Sequence, residues 1–265
     1  MHLALGLEYD GRAYKGFQRQ AGVSTVQAEL EAALSQIADT PIAVVAAGRT
    51  DTGVHATGQV VGFHTEASRH LDAWRRGVNS LTSSGLKVRW VSQVAAQFHA
   101  RYSATARRYM YLWYEDHIES PVVTGLAVRS NGLDDETMHR AAQALLGEHD
   151  FTSYRGAGCQ SVSAHRCVHQ ISVRRHGGFV VLDVTANAFL LHMVRNIAGA
   201  LVQVGGAARP PQWPGELLAQ RDRRELGPTA GPHGLYLVGV HYPDCDFPEA
   251  PLPGLLRAMG DSARF

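Results

Sequence analysis

Two runs of strand-forming residues, 168–175 and 179–186, are separated by Gly177-Gly178. Paired glycines suit the tight turn of a β-hairpin, whose central positions call for a positive φ that glycine adopts without steric cost. A hairpin requires a sheet, and the rest of the chain supplies further strands and the helices to cover it. Strand-like stretches lie at 2–10 (HLALGLEYD), 42–47 (IAVVAA), 59–64 and 235–242 (LYLVGVHY). Leu86, Val88, Trp90 and Val94 alternate with polar or basic residues, as in a half-buried strand. Ser24 and Gln27 form the pattern of a capping box, and Val26, Leu30, Ala33, Leu34 and Ile37 follow it at helical spacing. Residues 71–81 read as a second helix. Asp134 is placed to cap a third, running to about 146 with Met138, Ala141, Ala142 and Leu145 on one face. A long apolar helix over 190–204 carries Arg195. These elements predict an α+β fold of two halves of similar build, 1–104 and 105–243, without a visible sequence repeat. The segment 244–265 is rich in proline and reads as an irregular surface tail, with a short helical turn near 255–259.

Hydrophobic residues make up 45% of the chain and charged residues 18%, a balance that supports packed cores and not disorder. The formal net charge of +1 excludes a grip on nucleic acid by overall charge, so any such contact must come from a local basic patch. Three cysteines, Cys159, Cys167 and Cys245, are an odd number with no secretory signal before them. A reducing compartment follows, and no apolar run approaches the ~18 residues of a membrane span. A soluble, cytoplasmic protein is expected.

Residues 48–60, GRTDTGVHATGQV, hold one carboxylate in a glycine-rich segment with an arginine two positions before it. Thr50-Asp51-Thr52-Gly53 has the composition of a turn. Three features favour chemistry at Asp51. The segment follows an apolar strand, which places it at a sheet rim. Gly48, Gly53 and Gly58 let backbone approach a ligand closely. Arg49 and Arg195 are candidates to hold the carboxylate ionised. A carboxylic acid of ordinary pKa, ~3.9, is already deprotonated at neutral pH and serves as nucleophile or base without further activation. Asp51-Thr52-Gly53 also spells the D-T-G of aspartic proteases. Those enzymes share a proton between two carboxylates, which a nearby arginine would undo, and polar Thr50 stands where they carry an apolar residue.

Residues 98–113, FHARYSATARRYMYLW, interleave Arg101, Arg107 and Arg108 with Phe98, Tyr102, Tyr109, Tyr111 and Trp113, and contain no acid. This mixture suits phosphate contacts combined with base stacking, or else a sheet core with a basic edge. On a strand, Arg107, Tyr109, Tyr111 and Trp113 share one face. In 187–197, NAFLLHMVRNI, Arg195 sits on an apolar helix, where a cation needs a carboxylate or phosphate partner or must reach solvent. Cys159 and Cys167 are eight positions apart, too far for a zinc knuckle with His165 and His169. No glycine-rich phosphate loop indicates a nucleotide cofactor.

Together, GRTDTGVHATGQV, FHARYSATARRYMY, ANAFLLHMVRNIAG and GLYLVGVHYP, with the opening LEYDGRAYKGFQRQ, resemble the motifs of the tRNA pseudouridine synthase A family, in order, from Leu3 to about Pro243. The resemblance implies the pseudouridine synthase fold, in which two α+β halves share a mostly antiparallel sheet with a central RNA-binding cleft. It implies a homodimer that binds tRNA and isomerises uridine to pseudouridine at positions 38, 39 and 40 of the anticodon stem-loop, with no metal or organic cofactor. By the same resemblance Asp51 matches the catalytic aspartate, attacking ribose C1′ or base C6 or assisting loss of the base. Arg49 matches the arginine that helps extrude the target nucleotide, and Tyr109 the tyrosine that packs on the flipped base. Arg195 matches the arginine paired with the aspartate, and Leu235 an apolar residue lining the pocket. Phe17 departs from a common tryptophan and Met110 from a common arginine, both affecting details of RNA contact.

Overall fold

The computed structural model of the protein describes residues 1–259. In chain order its strands are β1 (His2–Tyr9), β2 (Val45–Ala46), β3 (His55–His64), β4 (Leu86–Gln93), β5 (Ala106–Tyr114), β6 (Val128–Arg129), β7 (Gly147–Asp150), β8 (His165–His176), β9 (Phe179–Ala186) and β10 (Leu235–His241). The α-helices are α1 (Val26–Ala38), α2 (Leu71–Leu81), α3 (Asp135–Ala142), α4 (Met193–Gly205), α5 (Trp213–Gln220) and the short α6 (Gly254–Arg257). Among the described residues, no helix is long and apolar enough to cross a membrane. Among the described residues the chain divides into two compact units, one of Met1–Thr105 with Tyr236–Gly254 and one of Ala106–Leu235 with 255–259.

In the first unit the strand order is β4-β1-β3-β10, and β2 adds to β3. β1 runs antiparallel to β3 and β4, whereas β10 meets β3 in parallel, Tyr236 opposite His55. Leu3, Leu5 and Leu7 are fully buried, as are Leu30 and Leu34 of α1 and Trp74 and Val78 of α2. Gly6 leaves room for the Trp90 ring, since a Cβ there would lie 2.2 Å from the indole nitrogen.

Two expectations shift in this unit. The cap of α1 is Thr25, whose Oγ1 accepts from Ala28 N, and not Ser24. Ser24 is tied instead through its carbonyl to Lys15 N. The predicted strand over 42–47 shrinks to two residues because its amides go elsewhere. Val44 N donates to the buried Glu31 carboxylate at 2.9 Å and Ile42 N to Ser35 Oγ at 2.8 Å. Glu31 in turn pairs with Arg19.

In the second unit the order is β5-β9-β8-β7, all antiparallel, with the short β6 parallel to β5. The β8–β9 hairpin turns at Gly177-Gly178, Gly177 with φ +57°, and pairs His176 with Phe179. Asp134 caps α3 by accepting from Thr137 N, and a 3-10 turn, Gln143–Leu145, completes the predicted helix. The long helix begins three residues later than expected, at Met193, and buries Ile197, Ala198 and Leu201. Both faces of β5 are covered: Tyr111 and Trp113 on one side and Met110 and Leu112 on the other are 1% exposed or less. The fold is thus α+β, with a mostly antiparallel sheet in each unit.

Candidate active site

Asp51 lies on the irregular connection from β2 to β3 and is half-buried. Its carbonyl accepts from Val54 N at 3.1 Å while Gly53 holds φ +80°, the geometry of a type II turn. The turn composition of this segment and its candidate chemistry are therefore compatible, with the turn fixing the backbone that carries the carboxylate. The segment that follows β1 grips this loop. Phe17 N donates to Thr50 O at 3.0 Å, and Gly16, at φ +92°, brings its backbone so close that a Cβ would meet Thr50 O at 3.0 Å. Gly11 also packs against the loop, where a Cβ would lie 2.2 Å from Val54 O.

A buried polar network ties the same loop to the sheet. Tyr9 Oη and Thr50 Oγ1 are 2.8 Å apart, and Gln59 Nε2 donates to Gly48 O at 2.6 Å and to Tyr9 Oη at 3.4 Å. Burial pushes the Tyr9 phenol up to about 12, against the hydrogen bonds from Thr50 and Gln59, so it remains a neutral donor at physiological pH. His55, 2% exposed, stacks on Tyr236 with ring centres 4.6 Å apart. Its Nδ1 is 3.1 Å from Gly11 N and 3.3 Å from Asp10 Oδ1. Gly11 N donates to that nitrogen, which fixes the ring against the backbone that follows β1. Burial of Asp10 works against its ionisation, but hydrogen bonds from His55 and Arg12 outweigh it and hold the carboxyl well below the usual range.

Arg49 is exposed on the same loop. Among the described residues it forms no ion pair, with Asp51 or with any other acid.

The other candidate residues belong to the second unit. Tyr109, on β5 opposite Val184, is 8% exposed and meets the Phe189 ring edge-on at 5.1 Å. Arg195, in the first turn of α4, donates from Nε to Ala230 O at 2.8 Å, and its own carbonyl accepts from Ala230 N. Tyr111 Oη donates to the neighbouring Gly231 O at 2.8 Å. Burial raises the Tyr111 phenol and the charge of Arg195 opposes the rise, so this arginine and tyrosine share one anchor segment. Leu235 is buried at the start of β10, just after the 3-10 turn Pro232–Gly234.

The rings of β5 lie in the sheet core, but its arginines are not the solvated edge that the sheet-core reading of 98–113 expected. Arg107 is 9% exposed and donates to Asn187 O, and Arg108 forms a two-pronged pair with Asp183. Among the described residues no three His, Cys, Asp or Glu side chains gather to hold a metal ion, and Cys167 Sγ has only His169 Nδ1 beside it, at 3.8 Å.

The network of Tyr9, Thr50, His55 and Gln59 joins residues distant in sequence. One signal for it is visible there: His55, Thr57 and Gln59 are polar residues at alternate positions of an otherwise apolar, buried strand, hence on one face.

A family model described as tRNA pseudouridine synthase matches residues 7–103 and 141–243 of the chain. A tRNA pseudouridine synthase A of Shewanella baltica is 53% identical over 245 residues, covering 92% of this chain and 94% of that protein. Those of Photobacterium profundum and Salmonella arizonae are 52% and 53% identical, over 95% and 97% of this chain and 97% and 96% of theirs.

Proposed function

The chain belongs to the tRNA pseudouridine synthase family, and from that premise we propose that it isomerises uridine to pseudouridine at positions 38, 39 and 40 of the tRNA anticodon stem-loop, with Asp51 as nucleophile. The observation that carries the role of Asp51 is its support: a type II turn packed against the backbone of Gly11 and Gly16 and tied to the sheet by Tyr9, Thr50 and Gln59. A nucleophile works best when its backbone is fixed before the substrate arrives.

The reaction breaks the bond from N1 to C1′ and forms one from C5 to C1′. C5 loses its hydrogen as a proton and N1 ends with one, so substrate and product have the same atoms and oxidation state, and no redox partner is required. A carboxylate attacking C1′ holds the sugar while the base turns, and one attacking C6 holds the base; both use an ionised Asp51. A base within a stem must leave the stack to be reached. Arg49, an exposed cation on the nucleophile's loop, is assigned to that extrusion. Tyr109 is assigned to the face of the extruded uracil, Leu235 to its apolar contact and Arg195 to charge balance during the reaction. A cytoplasmic homodimer holding tRNA across both subunits completes the reading, which there rests on family resemblance.

The test is tritium release from tRNA labelled at uridine C5. Asp51→Asn and Asp51→Ala should abolish release while binding tRNA at wild-type affinity. Normal release by either variant removes the nucleophile. Binding without release by the wild-type protein would reduce the chain to an RNA-binding module.

A further inference from the structure

Tyr102 is 76% exposed, an unusual position for a large aromatic ring in a chain that buries most of its others. It is held there by a compact turn within 98–103. The His99 ring stacks on Tyr102 with centres 4.3 Å apart and planes 26° from parallel, and Arg101 Cζ lies 5.6 Å from the Tyr102 ring centre. His99 Nδ1 accepts from both Arg101 N (3.2 Å) and Tyr102 N (3.1 Å), which fixes the imidazole against the backbone that carries the tyrosine. His99 N donates to Ser103 Oγ and Ser103 N to His99 O, closing the turn. Below it, Ala100 is buried with its carbonyl bonded to Tyr242 Oη at 2.6 Å, and Phe98 packs on Tyr242 and Phe247. The turn is thus rooted in the first unit and presents a pre-positioned ring to solvent.

We infer that Tyr102, backed by His99 and Arg101, is a stacking platform for an unpaired nucleobase of the tRNA, separate from the uridine that reacts. The chemistry is that of single-stranded RNA recognition, in which an aromatic face receives a base and an adjacent guanidinium adds cation–π attraction and phosphate contact. A ring immobilised in advance loses little side-chain freedom on binding, so more of the stacking energy appears as affinity. The inference rests on tRNA being the substrate.

The experiment uses the full chain, an unmodified tRNA transcript and the variants Tyr102→Ala and Tyr102→Phe. Filter binding gives Kd over a range of salt, C5 tritium release gives KM and kcat, and size exclusion gives the oligomeric state. Tyr102→Ala should raise Kd and KM together by roughly 5- to 150-fold, the span for loss of one base–aromatic stack. Because stacking releases no counterions, the slope of log Kd against log salt should stay at its wild-type value. Tyr102→Phe, which keeps the ring, should restore tight binding. Wild-type Kd in Tyr102→Ala overturns the platform. So does equal weakness in Tyr102→Phe, which would assign the loss to the hydroxyl, or a changed oligomeric state in Tyr102→Ala, which would make the ring a protein contact. Failure of the underlying reading is distinct: the wild-type protein would then release no tritium, whatever Tyr102 does to binding.

Discussion

At the scale of single residues, the hydroxyl of Tyr9 connects the sheet to the loop of Asp51. Tyr9→Phe keeps the ring and deletes the bond to Thr50, leaving a buried hydroxyl short of a partner. The expected cost at neutral pH is about 0.5–1.5 kcal/mol, with a fall in kcat/KM from a loosened loop. The pH dependence has a definite sign. The folded phenol titrates at about 12 against an ordinary 10.0, so its contribution is whole below pH 10 and is lost as pH rises from 10 to 12. Two pKa units correspond to about 2.7 kcal/mol. Urea unfolding of wild type and Tyr9→Phe should therefore show the wild type more stable at neutral pH and the difference shrinking, then reversing, toward pH 12. The other buried tyrosines titrate in both proteins and cancel. A difference that stays constant with pH would refute the buried-phenol account.

At the scale of elements, the segment after β1 is gripped against the loop that carries Asp51, and glycine is what lets the two backbones meet. Gly11→Ala places a Cβ 2.2 Å from a carbonyl oxygen that cannot rotate away, whereas Gly178→Ala, in the β8–β9 turn, meets nothing within 4 Å. Gly11→Ala should cost roughly 1–3 kcal/mol and most of the tritium release, and Gly178→Ala neither. Equal melting temperatures and activities for the two would mean the loop yields freely. This contact also marks where the sequence stops being legible. Local patterns read well: α2 occupies the predicted 71–81, β9 the predicted 179–186, and Asp134 caps its helix. Local preference yields where a distant group takes over. Glu31 and Ser35 captured the amides of 42–44, so an apolar run became mostly irregular. β7, GEHD, is polar and has no alternation, and α5 begins WPG, a poor helical signature, so neither element shows in the local pattern. The Asp51 loop stood out by composition, but its supports lie far off in sequence at Tyr9, Gly16 and Phe17, and only the fold reveals them.

At the scale of the whole molecule, a net charge of +1 has to be reconciled with a polyanionic substrate. Many arginines are already neutralised inside the protein. Arg108 pairs with Asp183, Arg175 with Glu115 and Asp135, Arg224 with Asp222, and Arg75 and Arg76 with Asp72. Such cations already have a carboxylate partner, and those without one are better positioned to displace counterions from RNA. Arg49 is exposed and, among the described residues, has no ion pair; Arg175 binds two acids and also donates to Leu133 O at 2.6 Å. The two should therefore separate in one measurement. Arg49→Ala should reduce the slope of log Kd for tRNA against log salt by about one and leave the melting temperature alone. Arg175→Ala should lower the melting temperature, because Glu115 and Asp135 lose their common partner, and leave the slope at its wild-type value. Since the overall charge drops by the same amount in both variants, a slope governed by net charge would fall equally in the two. That result would sink the division between acid-paired and RNA-facing arginines.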